Sequence, residues 1–236
     1  MTRIDRLPPP PAAPVRSPAV AVAGEVQVRV PGRAGGPALA ARLHVPVNPV
    51  RAVVLCHPHP LYGGSMHSPV PLSIARMLAE TVTDRVAWAR FDFRGVGSSE
   101  GTYDDGRGEV DDVLAVLDAI RRAAPGAPLS LCGHSFGSWV ALLATARAPD
   151  VERLLLLAPS VRFASRSGPP LPRPPLSTIF VGDKDEFCDV EEARALADEL
   201  GSDLRVFEGF DHHFLQSRRA MAEAALPVIV PEVASP

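Results

Sequence analysis

Residues 133–137 read Gly-His-Ser-Phe-Gly. Two glycines around a serine at this spacing let a strand and a helix approach closely at a sharp turn. Such a turn lifts the hydroxyl clear of the sheet, beside a helix N-terminus. Backbone N–H groups at that end can stabilise a developing oxyanion. A serine hydroxyl becomes a nucleophile only beside a base, and the base needs a group to orient it. Two histidines follow Ser135, namely His212 and His213, while the other five of the seven precede it. One acidic turn lies between, Gly182-Asp183-Lys184-Asp185-Glu186. The chemistry on offer is acyl transfer through serine, imidazole and carboxylate. Spacing alone leaves both histidines and both aspartates open as members.

These residues need elements to position them. Short apolar runs at 51–56, 86–93, 129–132, 154–158 and 177–181 read as strands buried on both faces. Helical patterns run over about 69–82, 107–123, 136–147 and 190–200. Gly126 and Pro128 close the second of these, and Pro149 the third. Residues 203–208 predict a last strand and 214–226 a last helix. Segments 25–30 and 38–45 alternate and predict an antiparallel entry. Strands alternating with helices define an α/β domain with a mostly parallel sheet. In that frame the serine motif follows a strand and opens a helix, and the acidic turn follows a strand. The histidine pair sits between the last strand and the last helix. An ordinary N-cap serine in a Gly-rich turn accounts for the motif alone but not for this placement.

The composition bounds the alternatives. The chain has 236 residues, 46% hydrophobic and 22% charged, with a formal net charge of −3. That is a globular composition without the basic surplus of a nucleic-acid-binding face. Proline is in excess at 26 residues, about twice the usual share of roughly 5%. The excess is concentrated at residues 1–20, 159–175 and 227–236. Residues 1–23 are therefore expected to form a disordered or polyproline tail, with a docking peptide for a Pro-binding module as the alternative. Residues 24–227 are expected to form the folded body and 228–236 a short C-terminal tail. Four consecutive prolines break the apolar core that a secretory signal needs, and no later apolar stretch is long enough to span a membrane. Cys56, Cys132 and Cys188 have neither metal nor disulfide spacing. A cytoplasmic protein with buried thiols is expected.

Five stretches together resemble the α/β-hydrolase superfamily, and within it the small bacterial members without a cap domain, of the dienelactone-hydrolase or esterase kind. They are His57-Pro-His-Pro-Leu-Tyr-Gly-Gly64, Phe91-Asp-Phe-Arg-Gly-Val-Gly-Ser-Ser-Glu-Gly101, the Gly-His-Ser-Phe-Gly motif, the Gly182-x-x-Asp185 turn and Asp211-His212. The resemblance spans about residues 25–226. It implies an α/β-hydrolase fold with helices on both faces of the sheet. It makes Ser135 the nucleophile, Asp185 the acid with Asp183 as runner-up, and His212 the base with His213 as runner-up. Phe136, which follows the nucleophile, supplies one oxyanion N–H by the same resemblance. The family's His-Gly-x-Pro loop aligns with His57-Pro-His-Pro and makes His59 the second donor. Proline has no N–H, so Pro58 and Pro60 cannot serve, and Leu61 is the fallback.

Other features are expected to be structural. The pair His57 and His59 lacks a carboxylate or cysteine at ligand spacing, so no metal is expected and His57 is read as a loop brace. Arg94-Gly-Val-Gly lacks the spacing of a phosphate loop and reads as a turn. Glu109, Asp111 and Asp112 read as a solvated helix face, Lys184 as a surface ion-pair partner, and Phe136 and Trp139 as core. Relatives often carry a lid after the sixth strand. Here residues 159–175, with six prolines and Arg162, Arg166 and Arg173, are too short and broken for a helical cap, so an open or partly roofed site is expected. The sequence reading is a cofactor-independent serine hydrolase acting on a small or exposed acyl ester or thioester. Its partner is a small-molecule acyl substrate, with neither nucleic acid nor membrane. An acyltransferase, a peptidase or a non-catalytic binding member of the fold are the alternatives.

Overall fold

The computed structural model describes residues 20–160, 171–174 and 176–233. Eight strands form one sheet: β1 (Val26–Val30), β2 (Leu39–His44), β3 (Arg51–Cys56), β4 (Val86–Phe91), β5 (Leu129–His134), β6 (Val151–Leu157), β7 (Ser177–Gly182) and β8 (Asp203–Phe207). Their spatial order is β1-β2-β4-β3-β5-β6-β7-β8. β2 runs antiparallel to β1 and β4, and every later pairing is parallel. The alternating N-terminal segments therefore make the antiparallel entry, and the continuous apolar runs make the parallel centre.

The five helices are α1 (Pro69–Thr81), α2 (Arg107–Ala123), α3 (Phe136–Thr145), α4 (Val190–Leu200) and α5 (Arg218–Ile229). Strand periodicity divides the core. In β3, Ala52, Val54 and Cys56 face a core shared with α2, α3 and α4, whereas Val53 and Leu55 face one shared with α1 and α5. All six β3 residues are buried, which is why the run shows no polar alternation. Between β6 and β7 the chain has only residues 158–176, too few for a cap domain. Most of the Pro-rich loop at 159–175, with its expected role over the site, lies outside the described residues.

The chain order reverses between β3, whose crossover leads to β4, and β5 on the other side. A crevice forms beyond the strand ends at such a switch point. Here the loop after β3 and the turn after β5 flank that point.

Both ends of the body extend further than the expected boundaries at 24 and 227. Buried Arg90 of β4 binds the Glu25 carboxylate at 2.6 Å and the Val20 carbonyl at 2.5 Å, and Val22 is buried. At the other end α5 runs through Pro227 to Ile229. Ile229 and Val230 are buried, and Glu232 pairs with the buried Arg51 at 2.8 Å. Residues 1–19 and 234–236 of the two expected tails lie outside the described residues. α5 also starts later than its apolar pattern. Asp211 Oδ1 accepts the N–H groups of His213 and Leu215 and Phe214 takes a left-handed φ of 50°, so 211–215 is a turn. Ser217 then caps the helix by accepting from Ala220 N at 3.1 Å.

Candidate active site

The turn between β5 and α3 is built from small residues. Ser135 has φ 55° and ψ −117°, a left-handed backbone that is strained for a residue with a side chain. The surroundings hold it there. A Cβ on Gly133 would lie 2.3 Å from the Gly137 carbonyl oxygen, and one on Gly137 would lie 2.4 Å from that of His57. Only hydrogen at those two α-carbons lets α3 sit against β5 and the end of β3. Ser138 Oγ reaches back to the carbonyls of Gly133 at 2.6 Å and Leu157 at 3.0 Å. Ser135 N–H donates to Leu157 O at 2.9 Å, which continues the sheet into the turn. The Ser135 carbonyl accepts from Ser138 N, so the helix begins at once and Phe136 lies at its N-terminus.

Two other strand ends bring the acid and the imidazole together. Asp185 follows β7, and its carboxylate lies 2.9 and 3.0 Å from His212 Nδ1. Both groups are buried. Asp185 Oδ1 also accepts from the N–H groups of Phe187 at 2.8 Å and Cys188 at 2.9 Å. The acid is thus held by the first turn of the β7–α4 connection, which ends in an Asp189/Glu192 capping box. Since a carboxylate only accepts, His212 Nδ1 carries the proton and Nε2 presents its lone pair. The Phe187 ring packs against His212 at 4.8 Å between centroids. A Cβ on Gly182 would lie 2.0 Å from Phe210 O, so a bare glycine is needed where the β8 loop crosses β7.

The His212 loop meets the serine strand through His134, the residue before Ser135. The His134 and His212 rings lie 5.2 Å apart, and His134 Nε2 lies 3.0 Å from the His212 carbonyl oxygen. No hydrogen bond joins Ser135 Oγ to His212 in the described residues. Such contacts are often long before substrate binds.

The runner-up residues have other work. Asp183 Oδ1 accepts from Gly209 N at 2.6 Å, bracing the β8 turn, and its other oxygen lies 3.5 Å from exposed Lys184. His213 is exposed, its ring turned 78° from that of His212. Leu61 N–H donates to His59 Nδ1 at 3.2 Å. The His59 ring lies 4.8 Å from that of Phe136, so the loop after β3 lies against the Ser135 turn. Burial pushes His59 down to about 4 and keeps it neutral. With Nδ1 accepting from Leu61, Nε2 is the protonated nitrogen and faces Tyr103 Oη at 3.2 Å.

His57 is a brace. Its Nδ1 donates to Pro58 O at 2.6 Å and its Nε2 accepts from Phe93 N at 3.0 Å, tying the β3 and β4 loops together. Burial pushes its pKa down to about 3. Among the described residues no three His, Cys, Asp or Glu side chains converge as metal ligands. The Arg94 segment is a turn in which a Cβ on Gly97 would lie 2.3 Å from Asp92 Oδ2. The solvated-face reading of α2 needs correction. Glu109 and Asp112 are buried; only Asp111 of the three is not. Glu109 accepts from Asp104 N and Gly106 N to cap the helix, and Asp112 binds Arg94 at 2.8 Å. Their partners sit in the loop after β4, which helical periodicity does not report.

Sequence reasoning missed Tyr103, Phe187 and His134. The first two carry no motif. His134 stood in plain view, but as the variable position of Gly-x-Ser-x-Gly.

The sheet order, the strained serine and the carboxylate–imidazole pair define an α/β hydrolase. A family model described as serine aminopeptidase, S33 (Hydrolase_4) matches residues 47–178, and the chain belongs to that family. It is 32% identical over 187 residues to the uncharacterized protein RP471 of Rickettsia prowazekii (strain Madrid E), covering 73% of this chain and 75% of that one. XC6422 from Xanthomonas campestris, described as an a/b serine hydrolase without lid, superposes with a TM-score of 0.76 at 29% identity over 92% of this chain and 98% of its own. An α-β serine hydrolase homologue from Coxiella burnetii gives 0.70 at 29% identity over 88% and 97%. Est1E from Butyrivibrio proteoclasticus, solved with ferulic acid, gives 0.73 over 88% and 100% but only 19% identity, a likeness of fold alone. No described helix is long and apolar enough to cross a membrane.

Proposed function

We propose that the chain is a serine hydrolase that cleaves a small or exposed acyl ester or thioester through Ser135, His212 and Asp185. The observation that carries this reading is the buried Asp185–His212 contact at 2.9 Å, brought against His134 at the end of β5, immediately before the strained Ser135. His212 Nε2 takes the Ser135 proton as Oγ attacks the acyl carbon. Asp185 fixes the tautomer and stabilises the imidazolium. The N–H groups of Phe136 and His59 hold the oxyanion. His212 returns the proton to the leaving group, and water activated by the same imidazole releases the acid. Every step uses this chain's own groups, and none calls for a metal or organic cofactor.

The family's description as a serine aminopeptidase favours a second reading, amide cleavage on the same residues. The discriminating experiment is a substrate panel on the purified full chain: p-nitrophenyl esters of increasing acyl length, an acyl thioester, a hydroxycinnamate ester and amino-acid p-nitroanilides. Ester or thioester turnover well above anilide turnover is expected. Turnover of anilides alone would replace the esterase reading with the peptidase one, and no turnover of any arm would contradict both. Cytoplasmic residence belongs to the same proposal, supported by three free buried cysteines, Cys56, Cys132 and Cys188.

A further inference from the structure

His134 ends β5, pairs with Leu157 of β6 and immediately precedes Ser135. Its ring is fully buried, and burial together with the neighbouring His212 pushes its pKa well below the ordinary histidine value. It is therefore neutral and carries one ring proton. The His212 carbonyl oxygen, 3.0 Å from Nε2, can only accept, so that proton is on Nε2. Nδ1 is then a bare lone pair, and it is the one buried side-chain nitrogen or oxygen among the described residues with no partner.

An apolar ring would fill the same space and leave no orphaned nitrogen. Packing alone thus gives no reason for an imidazole here, since a buried unpaired polar atom destabilises the fold. What the imidazole adds is the Nε2–H bond to the backbone of the residue that carries the base. The two partners are 78 positions apart, and the bond spans from the nucleophile strand to the β8–α5 loop. The other restraints on that loop act elsewhere. Asp185 holds the His212 ring by Nδ1, Lys184 N donates to Phe210 O at 2.9 Å, and Phe214 N donates to Asp211 O at 3.1 Å. None of these ties the His212 backbone to β5.

We infer that His134 is a positioning residue, setting the distance of the His212 backbone from Ser135 while Asp185 sets the orientation of its ring. This rests on the reading of Ser135, His212 and Asp185 as the working triad. Proton transfer between Ser135 and His212 needs hydrogen-bond reach, and a shift of about 1 Å in such a pair can cost roughly 10²-fold in rate. Loss of the tether should therefore lower kcat and leave KM nearly unchanged, because His134 is buried away from solvent.

The test uses p-nitrophenyl acetate kinetics on a donor-less variant and a donor-bearing variant, with thermal melting to confirm folding. His134→Phe keeps an aromatic ring without a donor. His134→Gln places an amide N–H at the same number of bonds from Cβ as Nε2. His134→Phe is expected to lose about 10²-fold in kcat with KM within about twofold, and His134→Gln to recover to within about tenfold of wild type. If His134→Phe does not fold, His134→Asn takes its place, because its amide nitrogen matches Nδ1 and falls short of the carbonyl. Glutamine should then exceed asparagine by about tenfold or more in kcat. Wild-type kcat in a donor-less variant, or equal kcat in the glutamine variant and its donor-less counterpart, would overturn the assignment. Those outcomes presuppose an active wild type. An inactive wild type that no fluorophosphonate labels at Ser135 would instead overturn the triad reading.

Discussion

The Ser135 turn and the Asp185–His212 pair meet at the same end of the parallel strands but are held by different means. Ser135 is held by backbone and small side chains: two glycines without room for a methyl group, a serine hydroxyl stitched to two carbonyls and a forced positive φ. His212 is held by polar side chains from distant parts of the chain, the carboxylate of Asp185 and the imidazole of His134. A turn locked by close packing shifts only if the packing fails. An imidazole held by hydrogen bonds shifts when any one partner is lost. On the proposed roles, the Ser135 turn should therefore respond to substitution chiefly through stability, and the His212 side through rate.

The largest contrast lies within the histidine pair. His212→Ala should lower kcat for p-nitrophenyl acetate by on the order of 10⁵-fold, whereas His213→Ala, which removes an exposed ring, should stay within a few-fold. The carboxylates come next. Asp185→Asn should cost about 10⁴-fold by favouring the wrong tautomer, and Asp183→Asn, which perturbs the bond to Gly209 N and the exposed pair with Lys184, less than about tenfold. Comparable losses from either pair of variants would erase the division of roles drawn from the geometry. On the nucleophile side, Gly137→Ala drives a methyl group into the His57 carbonyl and should destabilise the fold by at least about 1–3 kcal/mol in urea unfolding. An unchanged midpoint would show that the turn is not packed as described.

The smallest effect concerns His57, the brace of the loop after β3. Its folded pKa of about 3 lies below the ordinary value of 6.5, so the native state excludes a proton that the unfolded chain takes up. The stability it contributes is present above about pH 6.5 and is lost as pH falls toward 3, at up to about 1.4 kcal/mol per pH unit. Replacing it with glutamine should flatten the fall in unfolding free energy between about pH 6 and pH 4 by about that slope. Asp92 works in the opposite sense, since burial raises its carboxyl from 3.8 to about 6. Its stabilisation is complete below about pH 4 and is lost as pH rises through 6, so Asp92→Asn should steepen the same fall.

The same division explains what the sequence disclosed. Sheet and helices were legible because burial on two faces and helical periodicity are local patterns, and α2 and α4 span the expected 107–123 and 190–200. The nucleophile turn was legible because glycine spacing records the close approach directly. The choice of Asp185 over Asp183 came from resemblance, since neighbouring carboxylates differ only in which distant partner they meet. The tether at His134, the burial of Glu109 and Asp112, and the anchoring of Glu232 on Arg51 were hidden for the same reason. Each depends on a partner that periodicity does not reveal, the last 181 positions away. The start of α5 was misplaced because Asp211 and Phe214 form a turn that interrupts an otherwise helical apolar pattern.

The proposed reaction requires Ser135 to be a nucleophile activated by His212. Its most direct test is fluorophosphonate labelling of the folded full-length chain, read by intact mass and peptide mapping. A single adduct on Ser135 is expected, absent from Ser135→Ala and strongly slowed in His212→Ala. A folded protein that takes no label, or an adduct that persists in Ser135→Ala, would contradict it.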